Sequence, residues 1–125
     1  MLKTNYSTAR QVAFWDRKSV EEQNKIKAYA KDIFDIYATT IAKKFHLTLD
    51  EMFTKTRRRD IVDARQLLYY LCMERPMRVS YIKRFMEENG HQVTHSNIIY
   101  SYRKARELVD SDSDFKRMIN DILEQ

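Results

Sequence analysis

A single glycine, Gly90, and a single proline, Pro76, punctuate 125 residues. That scarcity constrains the fold more than any other feature of the chain. Strand-rich sandwiches and barrels turn every roughly 8–12 residues and draw on Gly and Pro to do so. Phosphate-cradling loops need several glycines where the backbone approaches its ligand, so P-loop and dinucleotide-binding folds are excluded as well. No stretch alternates with period two. What remains is an all-α chain of helices joined by short polar turns. No apolar run reaches the roughly 18 residues that a bilayer span needs, and the start, Met1-Leu2-Lys3-Thr4-Asn5, has no signal-peptide core. Cys72 stands alone in an apolar stretch, which argues against a disulfide or a cysteine-based zinc site and fits a reducing, cytoplasmic setting.

The apolar spacing places the helices. Residues 1–18 are ambiguous, with Ala9, Val12, Ala13 and Phe14-Trp15 able to form a short packing helix. Ser19-Val20-Glu21-Glu22 reads as a capping box. Behind it, Ile26, Ala30, Ile33, Phe34, Tyr37, Ile41 and Phe45 step by three, four and seven, one stripe of a long amphipathic helix over 20–45. Thr48-Leu49-Asp50-Glu51 opens a short helix. Asp60 is expected to cap the next, whose buried face is Ile61, Val62, Ala64, Leu67, Leu68, Leu71 and Cys72, ending near Pro76. Ser80 is expected to open a helix that stops at Gly90. Thr94 caps another, with Ile98, Tyr102, Ala105 and Val109 in register. Ser111 or Asp112 starts the last.

The charge is unevenly spread. Residues 41–106 hold 14 Lys and Arg against 7 Asp and Glu, whereas residues 107–125 hold 2 against 6. A cationic middle attracts nucleic acid through its long-range field and counterion release. Within it, residues 80–109 read as helix, glycine-containing turn, helix. In a helix-turn-helix, the start of the second helix meets base edges in the major groove. Here that start is Thr94, His95, Ser96 and Asn97, all short hydrogen-bonding groups; Asn pairs bidentately with adenine. Ordinary capping by Thr94 or Ser96 is compatible with this. Tyr100, Ser101, Arg103 and Lys104 follow one turn on, within reach of phosphates. Arg57-Arg58-Arg59 forms an arm of the kind that enters a minor groove or clamps phosphate. Lys83 and Arg84 add phosphate attraction.

Other chemistries find less support. His91 and His95 are four apart, but a turn separates them and no third ligand stands nearby, so no metal is expected. Asp60/Asp63 and Glu87/Glu88 pair carboxylates without a nucleophile in reach, so no catalytic site and no cofactor are expected.

The order of these pieces resembles the C-terminal DNA-binding domain of the bacterial replication initiator DnaA, a helical domain with a Trp-repressor-like helix-turn-helix. The matching residues are Ile41-Ala42-Lys43-Lys44-Phe45-His46-Leu47-Thr48-Leu49-Asp50-Glu51-Met52-Phe53, then Arg57-Arg58-Arg59-Asp60-Ile61-Val62-Asp63-Ala64-Arg65-Gln66, then Thr94-His95-Ser96-Asn97-Ile98, then Arg103-Lys104. The resemblance implies that Arg57 enters the minor groove. It implies that Arg59 and Arg65 contact the backbone or shape the site, and that His95, Ser96 and Asn97 read bases. Thr94 stands where the family has Asp, Asn97 replaces Thr, and Ala64 replaces Pro. Several extra residues, among them Glu87, Glu88, Asn89 and Gly90, fall between Ile82 and His95. The family's binding mode is therefore expected without its recognition sequence.

The sequence thus divides into a helical extension, 1–40, and a helix-turn-helix domain, 41–125. The family's ATPase module has no counterpart in it, so neither nucleotide nor membrane is an expected partner. The expected function is sequence-preferring binding of double-stranded DNA in replication initiation, its control, or transcription. A nucleoid or an infected host cell is the expected setting, and a phage or mobile element a fitting source. The helix over 20–45 is a candidate surface for a second copy or for a host or phage replication protein. The alternative is a helical adaptor or virion component that kept the fold and lost DNA readout, which Glu87, Glu88 and the altered Thr94 favour.

Overall fold

The structure, a computed structural model, describes residues 19–124. Six helices make up the fold among these residues: α1 (Val20–Lys44), α2 (Leu49–Met52), α3 (Arg59–Glu74), α4 (Val79–Glu88), α5 (His95–Ser111) and α6 (Ser113–Leu123). The expected short helix around Phe14-Trp15 lies outside the described residues.

Helix starts follow local hydrogen bonding. Ser19 Oγ accepts from the Glu22 amide at 3.1 Å. Thr48 and Glu51 form a reciprocal capping box, each side chain accepting from the other's backbone amide. Thr94 accepts from the Asn97 amide at 3.1 Å, and Asp112 from the amides of Asp114 and Phe115. Two expected caps are corrected. α3 begins one residue before Asp60, and α4 one residue before Ser80. Arg58 and Arg78 are the N-caps, and neither start has a capping side chain. Asp60 sits instead in the first turn, where a carboxylate is favourable, and pairs with Arg58.

Two helices end in the same way with different residues. After α4, Gly90 takes φ 90°, its amide bonds the Glu87 carbonyl at 2.9 Å, and the His91 amide bonds that of Met86 at 3.0 Å. This is the 6→1 and 5→2 pattern that satisfies otherwise orphaned carbonyls. After α1 the same two bonds run from His46 to Lys43 and from Leu47 to Ala42, but the left-handed residue is His46, at φ 57°.

α3 is the central rod and lies against α1, α2, α4 and α5, while α6 covers α5 and α1. The core joins Phe34 and Ile41 of α1, Met52 of α2, Leu67, Leu68 and Cys72 of α3, Ile82, Phe85 and Met86 of α4, Ile98 of α5, and Ile119 and Ile122 of α6. Phe34 binds the centre, with ring centroids 5.4 Å from Phe85 and 6.3 Å from Phe53. Each such side chain contributes about 1.5–3 kcal/mol by leaving water. α1 crosses residue 40 without a break, and Tyr37 on one side and Ile41 on the other enter this one core.

The expected stripes are partly corrected. Ile26 is 36% exposed and Val62 40% exposed; Val62 shares the outward face of α3 with Arg59, Asp63 and Gln66, whereas its neighbours Ile61, Ala64 and Arg65 are buried. Tyr69 and Tyr70, absent from the expected face, are buried. No helix among the described residues is long and apolar enough to cross a membrane.

Candidate nucleic-acid interface

The recognition-helix candidate is α5. Its first residues, His95, Ser96 and Asn97, and its N-cap Thr94 are all exposed. The next residue, Ile98, is fully buried. That anchor fixes the rotation of α5, so the polar tip faces outward as a consequence of where Ile98 and Ala105 must go. One turn on, Tyr100 is 61% exposed, with Lys104 Nζ 5.9 Å from its ring centroid. The two share a face at i and i+4, and Arg103 beside them is exposed.

α3 meets both α5 and the turn that precedes it. Arg65 meets His91 just ahead of α5, Gln66 donates to the Ser101 carbonyl, Tyr70 stacks on Tyr102 at 5.8 Å, and the Tyr102 hydroxyl donates to Glu74 at 2.7 Å. The beginnings of both helices therefore lie at one end of the molecule. The loop of residues 54–58, which leads into α3, is at that end too.

The three arginines of the loop differ. Arg58 is held by two hydrogen bonds to Asp60, 3.1 and 2.8 Å, with Glu51 at 3.8 Å. This pairing holds the Asp60 carboxyl below its ordinary value, chiefly through the hydrogen bond from Arg58. Arg59 reaches Asp63 at 3.3 Å. Arg57 is exposed and, among the described residues, has neither an ion pair nor a side-chain hydrogen bond. Lys55 beside it is exposed as well.

Arg65 is not an outward-facing contact. It is 6% exposed and donates to the carbonyls of Thr54 at 2.9 Å and Thr56 at 3.0 Å. Its donors are thus turned to the loop that leads into α3. Its Nη1 also lies 3.1 Å from His91 Nδ1. Sequence reasoning weighed His91 only as a metal ligand; a pairing across 26 positions leaves no signature in spacing. Among the described residues no three His, Cys, Asp or Glu converge as a metal site would require.

Lys83 and Arg84 lie on α4. Lys83 pairs with Glu87 at 2.7 Å, and Glu88 lies 3.8 Å from Lys31. The acidic residues before the turn are thus each matched by a lysine, and Arg84 is exposed.

Comparison with known proteins agrees with this geometry. The model of a family described as the bacterial DnaA protein helix-turn-helix matches residues 35–105. Chromosomal replication initiator protein DnaA of Flavobacterium psychrophilum is 28% identical over 91 residues, 70% of this chain and 18% of that protein. The protein of the same name from Sulfurimonas denitrificans is 30% identical over 88 residues, 70% of this chain and 20% of that one. That from Spiroplasma citri is 28% identical over 105 residues, 84% and 22%. The chain spans about a fifth of the length of these curated relatives. No solved structure matches it.

Proposed function

Since the chain belongs to the bacterial DnaA helix-turn-helix family, we propose that it binds double-stranded DNA with sequence preference, in replication initiation, its control, or transcription. His95, Ser96 and Asn97 read base edges in the major groove from the start of α5. Arg57 enters the adjacent minor groove or clamps its backbone. Tyr100, Lys104, Arg58 and Arg59 meet phosphates and fix the register. Thr94 caps α5 and presents the tip. A nucleoid location follows from such binding.

The observation that carries this reading is the exposed polar tip of α5 at the same end of the molecule as the exposed Arg57, which has no ion pair among the described residues. Major-groove reading with an arm in the neighbouring minor groove requires those two features side by side. The adaptor alternative drew on Glu87 and Glu88 repelling a phosphate backbone, and their lysine partners blunt that repulsion.

Titration of random duplex at two salt concentrations tests the reading. Binding that is micromolar or tighter at low salt and falls steeply at higher salt is expected. Salt-insensitive non-binding favours the adaptor. Selection of bound duplexes from a random pool is then expected to converge on a motif.

A further inference from the structure

Arg65 stands between the two segments that the reading above assigns to the duplex. On one side its Nη1 and Nη2 hold the carbonyls of Thr54 and Thr56, at 2.9 and 3.0 Å. On the other, Nη1 lies 3.1 Å from Nδ1 and 3.5 Å from Nε2 of His91, in the turn between α4 and α5. At those distances from both ring nitrogens, Nη1 lies over the imidazole face, a contact that a neutral ring accommodates and an imidazolium opposes. Protonating His91 would set two cations at hydrogen-bond distance in a half-buried pocket, where charges are weakly screened. Burial first, and then the Arg65 charge, hold the His91 pKa below its ordinary value, against the Phe53 carbonyl, which favours the protonated ring. The ring therefore faces the Arg65 charge from α3 and the uncharged Phe53 carbonyl from the end of α2. The exposed His95 lies four residues on, in the first turn of α5.

We propose that neutral His91 and Arg65 are a positioning pair that locks the arginine loop to the helix-turn-helix turn, so that protonation of His91 weakens simultaneous engagement of DNA by Arg57 and the Thr94–Asn97 tip. This rests on the DNA-binding reading. The sign sets the pair apart. A histidine at a phosphate gains charge in acid and binds more tightly. His91 acts in the opposite direction, because its neutral form is the one that tolerates the Arg65 charge.

The test is a set of anisotropy titrations of the full chain on a duplex selected from a random pool. They run from about pH 7.5 down to about pH 5.5 at fixed ionic strength, for the wild type, His91→Gln and His95→Gln. Glutamine accepts a hydrogen bond through its amide oxygen and does not titrate. Wild type and H91Q are expected to bind alike at the upper end, with the wild type losing about tenfold relative to H91Q at the lower end, a coupling of ordinary size. H95Q is expected to keep that loss. Superimposable profiles for wild type and H91Q overturn the pair. A measurement on the unsubstituted protein guards against a folding defect in H91Q. In NMR spectra, the amides of residues 54–57 are expected to shift along the His91 titration curve, which lies below the ordinary imidazole range. Loop amides silent through that titration overturn the proposal. Wild-type protein that binds no duplex at any pH overturns the DNA reading itself, an outcome distinct from these two.

Discussion

Arg57, Arg58 and Arg59 are chemically identical and electrostatically unequal. Arg58 and Arg59 already face Asp60, Glu51 and Asp63, and exposed pairs of this kind are worth only about 0–1 kcal/mol to the fold, yet they offset charge that would otherwise attract phosphate. Arg57→Ala is expected to weaken duplex binding and to lower the slope of log affinity against log salt by about one phosphate contact. Arg58→Ala, removing a charge its neighbours already balance, is expected to cost less; titration of both over a salt series checks the order, and equal losses contradict it. His95→Ala and Asn97→Ala are expected to alter the selected motif at a cost of about 1–3 kcal/mol on the preferred site, read by repeating the selection with each variant. The triplet and the polar tip are both legible in the sequence, because each is contiguous. The ranking within the triplet is not, since Glu51 lies seven positions from Arg58. Nor is the inward turn of Arg65, which depends on loop carbonyls 9 and 11 positions upstream.

At the level of the element, the two left-handed helix ends give opposite predictions. His46 pays for a conformation that glycine adopts freely. His46→Gly is expected to raise stability by up to about 1 kcal/mol, and Gly90→Ala to lower it by about 1 kcal/mol. Nothing lies within 4 Å of a Cβ built on Gly90, so that cost is conformational and not steric. Denaturant midpoints for the two variants decide it; a shift of the same sign in both would show that something besides backbone conformation controls these turns. The sequence announced helix starts wherever a short polar side chain could cap, as at Ser19, Thr48 and Thr94. It misplaced the N-caps of α3 and α4 by two residues, because Arg58 and Arg78 provide no capping side chain there and Asp60 and Ser80 attract a capping assignment by composition alone. The α1 stripe was legible as a period but not as a depth. Ile26 and Phe34 lie on the same spacing, and only the positions of α2 and α4 decide which of them is covered.

In the molecule as a whole, one core couples every helix, and Phe34 sits at its centre between Phe53 and Phe85. Phe34→Ala is expected to cost about 3–5 kcal/mol, in one cooperative transition seen alike by circular dichroism and by tyrosine fluorescence. Two separate transitions would instead divide the chain into independent units. The meeting at Arg65 of the loop before α3 and the turn before α5 has a consequence for attraction to DNA that no side chain supplies. Peptide dipoles sum along each helix to roughly half a positive charge at its N-terminus, and this arrangement brings two such ends to one pole of the molecule. That portion of the field belongs to the backbone and does not titrate, so alanine at all three loop arginines would thin the pull toward a polyanion without extinguishing it.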